Sequence, residues 1–366
     1  QKKSATSSVQ TKGGVQLSTF EFSADDYDEN RHFFLAQYFR DHYDENMAQL
    51  PNILSGITIN RAEVWVTNKT GQTTNTRNII ALTDLGEALK IHNPLWTPGS
   101  TTVPANAANT LYNIVSGING VRNISTATSA VDGFGLTGGV DYEKLESARL
   151  LSPSEYKVNA ALGYISLRSA LQPDQVLAVA FEYTYRGTNY QVGEFSTDRK
   201  DNTETLLLKS LKNTANSPSQ GNWDLMMKNV YALGASNVQK EKFRLDVKYL
   251  SDTTGVYLNY LPEPTLKDKR LIQLLGLDRL DNNNKRNSNA YFDYVEGYTI
   301  DPTDGRVFFT SVEPFGKYLR KVIGNNAIAD KYVFQELYDS TKTVAKQIAE
   351  KDKFIIAGQY KASRED

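Results

Sequence analysis

The sequence predicts a β-rich α+β fold: two related antiparallel β-sandwich-like modules with a few peripheral helices. Three observations carry this. First, a hairpin pattern occurs twice. Tyr298, Ile300, Asp301, Gly305, Val307 and Phe309 follow Y-x-[IV]-[DN]-x-x-x-G-x-[IV]-x-[FL], and Tyr156, Val158, Asn159, Gly163, Ile165 and Leu167 repeat it. Apolar residues alternate along both arms, Gly supplies a positive φ at the turn, and Asp or Asn can hold the turn backbone. Second, the order strand, turn, strand, acidic turn recurs upstream of each hairpin. It runs through Arg61–Asn68, Asn78–Leu82 and Glu87 in one copy, and Phe243–Leu250, Val256–Tyr260 and Glu263 in the other. Third, 21 Tyr and 15 Phe stand against 3 Met, a bias that suits pleated surfaces.

The first module is placed at 13–212 and the second at 223–366. Gln1–Thr11 is polar and reads as a frayed end. A helix is expected over 28–46, with Phe33, Phe34 and Tyr38 on a wide apolar face and Asp28 or Asn30 as its cap. Pro51 and Gly56 then lead into the strand through Trp65. Residues 94–139 form a variable loop rich in Ser, Thr, Asn, Gly and Ala, in which Pro104 can open a short helix. Val176–Tyr185 alternates Leu177, Val179, Phe181, Tyr183 and Tyr185 with the small or polar Ala178, Ala180, Glu182 and Thr184. That pattern predicts a core on one side only. Asn213–Asn222 (N-T-A-N-S-P-S-Q-G-N) has linker composition. Trp223–Tyr231 follows as a strand or short helix. Leu266–Leu280 reads as a helix burying Leu271, Leu274, Leu275 and Leu277. The clearest helix spans 330–351, with Phe334, Leu337, Thr341, Val344, Ala345 and Ile348 along one face. Phe354–Tyr360 is a last strand.

Composition excludes several function classes. A net charge of −1 argues against a nucleic-acid partner, because phosphate neutralisation needs a basic excess. There is no cysteine, so disulfides, thiolate metal sites and cysteine nucleophiles are absent together. No apolar run reaches the ~18 residues of a membrane-spanning helix, and no stretch resembles a signal peptide.

Chemistry-bearing patterns are few. Gly133-x-Gly135-x-x-Gly138 spells a dinucleotide fingerprint, but Ser125–Ala130 before it is no hydrophobic strand, so it reads as a glycine loop. Asp278, Asp281 and Asn283 are candidate calcium ligands in an oxygen-rich loop. Lys285 and Arg286 oppose that reading, and a solvated Asx loop is the other one. No other cofactor is indicated. His32 and His42 lack the i, i+4 spacing of a helical zinc pair. No G-x-S-x-G or readable Ser/His/Asp set occurs, and no two carboxylates stand out as a glycosidase pair. Carboxylates are plentiful, so a glycoside hydrolase stays open on the residues alone. Trp96, in N-P-L-W-T-P-G, is expected to be exposed, while Trp65 reads as a core strand residue. Trp96 and Phe315 are the candidate interaction residues. A surface carbohydrate-binding module with Trp96 as its platform is the alternative function.

Four blocks together resemble one family. They are R-H-F-F-L-A-Q-Y-F-R-D-H-Y-D at Arg31–Asp44, G-I-T-I-N-R-A-E-V-W-V-T-N at Gly56–Asn68, F-D-Y-V-E-G-Y-T-I-D-P-T-D-G-R-V-F-F with E-P-F-G across Phe292–Gly316, and Y-V-F-Q-E-L-Y-D-S-T-K at Tyr332–Lys342. In this order they resemble SprA, also called Sov, the outer-membrane translocon family of the Bacteroidetes type IX secretion system, linked to gliding motility. The resemblance implies a soluble portion of a much longer β-barrel protein, without catalysis. Implied partners are the rest of the translocon barrel, secreted cargo and a partner outer-membrane barrel protein. It implies an outer-membrane-associated position, with the extracellular face favoured. Asp252-Thr253-Thr254 and Asp339-Ser340-Thr341 match the short O-glycosylation pattern of that phylum and suit export. Family members carry a more acidic loop where this chain has Asn282–Asn289, which counts against calcium.

Overall fold

The computed structural model of the protein describes residues 6–12 and 15–361. Two compact units interleave along the chain. A terminal unit takes Gln1–Asp28, Tyr43–Ile53 and Lys228–Asp366, and a central unit takes Glu29–His42 and Leu54–Met227. The division expected at Asn213–Asn222 lies elsewhere. Asn213 and Asn222 are buried, and their amides bond Ser210, Thr83 and Gln220. Linker-like composition here serves a buried polar network.

The central unit is built on a closed five-stranded barrel. Its order is Leu177–Tyr185, Leu206–Lys212, Thr76–Leu82, Tyr142–Leu150 and Ile57–Val66, which pairs back onto Leu177–Tyr185. The pair Leu206–Lys209 with Ile79–Leu82 is parallel, and the other pairs of the barrel are antiparallel. Thr188–Val192 adds a sixth strand as a hairpin on Leu177–Tyr185. Closure, not sandwich packing, therefore completes this module. Its core joins Trp65, Ile79, Ala81, Leu145, Ala148, Val176, Ala178, Ala180, Phe195, Leu206 and Leu208. So few strands leave a narrow interior, which small side chains around one or two large rings can fill.

That geometry corrects the one-sided reading of Leu177–Tyr185. Ala178 and Ala180 belong to the barrel core, while Val179, Phe181 and Tyr183 are also fully buried. Phe39 covers the outside, with ring centroids 6.0 Å from Phe181 and 5.6 Å from Tyr183. The small residues had looked like a solvent face because alanine suits both settings.

The helix expected over 28–46 runs from Gln37 to Met47. Its first residues are diverted into a strand, His32–Phe34, that pairs with Tyr164–Ser166. This three-stranded sheet contains the first repeated hairpin, Tyr156–Asn159 with Tyr164–Leu167. Gly163 takes φ +74°, and a Cβ there would lie 2.4 Å from the Phe39 ring. The second hairpin, Ile300–Asp301 with Arg306–Phe308, also forms, with Gly305 at φ +65°. The two hairpins are alike, but the strands upstream pair differently. Arg244–Leu250 bonds Tyr257–Leu258 directly, whereas Ile57–Val66 bonds strands other than Thr76–Leu82. The sequence order recurs and the sheet topology does not. A second local repeat escaped the sequence pattern. Thr137 N–H donates to Asp141 Oδ2 at 2.7 Å and Val295 N–H to Thr299 Oγ1 at 2.8 Å. Each closes a turn with Gly139 or Gly297 in the left-handed region.

The terminal unit carries an antiparallel sheet in the order Thr6–Lys12, Val15–Ser23, Phe354–Tyr360, Arg244–Leu250, Tyr257–Leu258. Thr6–Thr11, expected as a frayed end, lies in its first strand, and Gln1–Ala5 are outside the described residues. Aromatic rings fill the core beneath this sheet: Phe22 lies 5.5 Å from Tyr231, and Phe354 lies 5.2 Å from Tyr249. Two long helices of the sequence reading are shorter. Leu266–Leu280 keeps only Leu271–Leu274, which Gly276 ends at φ +74° as Leu277 N–H returns to Ile272 C=O at 2.7 Å, a left-handed C-cap. Residues 330–351 break into Asn326–Tyr332, Glu336–Asp339 and Lys342–Lys346. Val333, Ser340 and Thr341 are extended at the breaks, and the Thr341 hydroxyl caps Val344 N–H. A β-branched cap halfway along the apolar stripe outweighs its periodicity.

Candidate functional site

The residues with the most concentrated chemistry lie at the acidic turn that follows Thr76–Leu82. The turn Thr83–Glu87 leaves the barrel rim with both carboxylates pointing into the protein, where Asp84 and Glu87 are each 2 % exposed. Asp84 gathers the strap that follows it. Its carboxylate accepts from His92 N–H at 3.0 Å, Asn93 N–H at 2.9 Å and the Trp96 indole N–H at 2.7 Å. Asn109 closes the strap from the other side, donating to the carbonyls of Asp84 at 2.8 Å and Glu87 at 2.9 Å. Residues 94–139 are thus not a loose loop. They contain the helices Leu111–Ser116 and Ile124–Asp132, and Pro104 precedes a short 3-10 turn, Asn106–Ala108.

Glu87 faces the opposite way. It accepts from Gln37 N–H at 3.1 Å, so a carboxylate distant in sequence caps the start of helix Gln37–Met47. It pairs with the fully buried Lys209 at 3.1 Å, and Lys209 Nζ also donates to the Thr83 carbonyl. Burial pushes the Glu87 carboxyl up, and the Lys209 charge and the Gln37 amide oppose that shift. Two further buried ions follow the same logic. Burial alone would raise Glu194, but Arg122 at 2.6 Å, Leu207 N–H and the Tyr112 hydroxyl hold it below the ordinary carboxylate range. Lys212 donates to the carbonyls of Pro173 and Gln175 at 2.8 and 2.7 Å. Burial pulls its ammonium down to about 8. Glu87 and Glu194 bind backbone as well as a charged partner, and Lys212 is held by backbone carbonyls, conditions under which a buried charge is tolerated.

The sequence-named residues fall as follows. Trp96, expected on the surface, is 2 % exposed and anchors the strap. Its N–H needed a buried acceptor, and Asp84, twelve residues earlier, was the signal for it. The carbohydrate platform built on Trp96 is therefore lost. Trp65 is a core residue of the barrel, as its strand position implied. Phe315 is fully buried in the terminal unit, its ring 4.8 Å from Phe354 and 5.7 Å from Phe309. It is a core residue and cannot make an external contact in this fold.

Asp278, Asp281 and Asn283 are held by local backbone. Asp278 accepts from the Ser288 hydroxyl and from Asn289 and Ala290 N–H at 2.8–3.0 Å. Asp281 Oδ1 accepts from Asn283 and Lys285 N–H. Asp293 accepts from Arg279 and Leu280 N–H, and burial raises it to about 6. Among the described residues no group of three His, Cys, Asp or Glu could hold a metal ion. His32 bonds Ser166 at 2.7 Å, and His42 stacks on Tyr38 at 4.1 Å. Gly133 and Gly135 end helix Ile124–Asp132 rather than opening one, the reverse of a pyrophosphate loop.

These buried carboxylates are occupied by donors from their own unit, so the arrangement positions backbone. No helix among the described residues is long and apolar enough to cross a membrane. No curated protein matches the chain. A family model does: SprA_N, described as motility related/secretion protein, over residues 1–168. The match includes two of the four resembling blocks, Arg31–Asp44 and Gly56–Asn68, and ends just past the first hairpin. Over residues 1–168, a little under half of its length, this chain is similar to the SprA family of motility-related and secretion proteins.

Proposed function

We propose that this chain is a non-catalytic domain of the type IX secretion translocon, capping or shaping the conduit through which folded cargo reaches the cell surface and so supporting gliding motility. The observation that carries this reading is the motility and secretion family match over residues 1–168. The bonds that hold the 83–141 segment to the barrel, from the Tyr183 hydroxyl to the Pro104 carbonyl and from Arg122 to the Thr205 carbonyl, are consistent with it. A rim or cap must hold its shape while a folded protein passes, and a closed barrel has no open edge along which to yield. Its partners are the rest of the translocon barrel, the cargo and an adjoining outer-membrane barrel protein. It needs no cofactor, and it lies on the extracellular side.

Two measurements test this. Trp65→Ala removes the largest ring of the barrel core and costs about 3–5 kcal/mol. Placed in the full-length protein, it should lower surface delivery of cargo and gliding speed while the protein still reaches the outer membrane. Normal export from cells whose central unit is unfolded would end the proposal. The chain has no cysteine, so Thr254→Cys adds one label site to it in an exposed turn, read against the unsubstituted protein. A membrane-impermeant maleimide should label it in intact cells, and labelling only after permeabilisation would place it on the periplasmic side.

A further inference from the structure

The antiparallel sheet of the terminal unit ends on one side at Thr6–Lys12, a strand of 7 residues paired with Val15–Ser23 alone. One bond fixes which of its backbone groups face outward. Leu250 N–H donates to Lys353 C=O at 3.0 Å, and antiparallel strands bond their two neighbours through alternate residues. Along the registers, Ile355, Ala357 and Gln359 therefore bond toward Arg244–Leu250, and Ile356, Gly358 and Tyr360 bond toward Val15–Ser23. Leu17, Thr19 and Glu21 are left to bond Gln10, Ser8 and Thr6. Ser7, Val9 and Thr11 thus turn their N–H and C=O groups outward. No bulge interrupts these three registers, and among the described residues nothing else bonds those groups.

Open edges are ordinarily blunted by charge, proline, a bulge or shortness. The opposite edge of this sheet is short, the two residues Tyr257–Leu258. Thr6–Thr11 has none of these devices: it reads T-S-S-V-Q-T, without charge, proline or glycine. Val9 lies opposite Ser18, on the sheet face that carries Phe20 and Phe22. Those two rings are 4 % and 6 % exposed, whereas Val9 is 65 % exposed. The apolar layer on that face reaches the edge and ends there uncovered.

We infer that Thr6–Lys12 is a docking edge for an added β-strand: an extended polypeptide segment from outside this chain, uncharged over about five residues and apolar where it meets Val9. Hydrogen bonding selects that occupant. Three N–H and three C=O groups, from Ser7, Val9 and Thr11, stand along one line at the strand repeat. Such a line matches the edge of another strand and neither a lipid nor a sugar. The added residue opposite Val9 falls on the face of Phe20 and Phe22. An apolar side chain there extends that layer over Val9, whereas a charged one would lose water against it. The inference deepens the secretion reading by naming how the chain joins its assembly. It rests on that reading only for where the strand comes from.

The probe is a capped peptide, Val-Thr-Val-Thr-Val, titrated into the chain and followed by amide NMR and hydrogen exchange. Exchange at Ser7, Val9 and Thr11 should slow by about fivefold or more at saturation, the worth of one net hydrogen bond. The amides of Ser8 and Gln10 already bond inward and should hold their rates. N-methylation of the three peptide valines should abolish the effect, and N-methylation of its threonines should not. No change at the three amides, or an equal response to both methylated peptides, overturns the inference. Val9→Pro deletes one outward N–H, which an edge strand tolerates. It should abolish the response while Phe354–Tyr360 keeps its amide shifts. Val9→Lys keeps every backbone group and should weaken peptide binding by about fivefold. A Val9→Lys chain that binds as the parent does overturns the inference. In the full-length protein, exchange followed by mass spectrometry should find about three more protected amides over 6–12 than in this chain by itself. Equal exchange in the two overturns the inference. So does protection of those amides in step with a doubled light-scattering mass, which assigns the edge to a second copy. Protection in the full-length protein, with normal cargo export by Val9→Pro, keeps the docked strand and removes the translocon reading.

Discussion

Replacing Asp84 tests the view that one carboxylate organises the strap. Asp84→Ala removes the acceptor for three donors at 3.0, 2.9 and 2.7 Å. Hydrogen bonds to a charged group contribute about 1.5–3 kcal/mol each, and the three do not add, because they share one acceptor. The His92 and Asn93 amides are only part-buried and can turn to water. The Trp96 indole N–H, on a side chain 2 % exposed, cannot, and stranding it alone costs about 1–3 kcal/mol. We expect a total of about 3–5 kcal/mol, and about 1–2 kcal/mol for Asp84→Asn, which keeps one acceptor oxygen. Trp65, Trp96 and Trp223 all lie in the central unit, so tryptophan emission during urea unfolding reports that unit alone. The thermal midpoint should fall by roughly 2–4 °C per kcal/mol for a unit of this size. An Asp84→Ala variant within about 1 kcal/mol of the parent, or an Asn variant as damaged as the Ala one, would refute the reasoning.

Other expectations follow from the same structure. Burial and the neighbouring Asp25 carboxyl raise Asp352 to about 8. The folded state therefore keeps a proton that the unfolded chain releases near pH 4, and stability of the terminal unit falls as pH rises from about 4 to about 8. Asp352→Asn should flatten that fall, and parallel pH–stability curves for parent and variant would contradict the retained proton on Asp352. Lys209→Met leaves Glu87 buried without its partner and should cost about 3–5 kcal/mol. Adding Glu87→Gln should recover part of it in the same urea series, and an additive double variant would show that the pair is not coupled. Gly163→Ala must place a methyl where the Phe39 ring lies, at a positive φ. It should cost more than about 1 kcal/mol and broaden the Phe39 ring resonances, which an unperturbed spectrum would disprove. Millimolar calcium should leave the unfolding midpoint of the terminal unit in place, because Asp278 and Asp281 already take backbone donors. A rise of several degrees would instead indicate a bound ion.

Much of this was legible in the chain because it depends on neighbours in sequence. Both repeated hairpins formed where the alternation and the glycines placed them, since a two-arm pattern and one positive-φ position specify a hairpin locally. The strands at Ile57–Val66, Thr76–Leu82, Arg244–Leu250 and Phe354–Tyr360 were equally readable. The family resemblance over Arg31–Asp44 and Gly56–Asn68 agrees with the family match.

What tertiary structure alone decided has one physical cause. Closing a sheet, capping a helix and satisfying a buried carboxylate all join residues far apart in the chain. Ala178 and Ala180 read as solvent-facing until closure put them inside the barrel. Helix Gln37–Met47 starts where Glu87 caps it, not at Asp28 or Asn30. Trp96 passed for a surface platform until Asp84 took its indole proton. The sequence by itself determined the local β units and the resemblance to the family. Only the fold could decide which polar groups would be buried together.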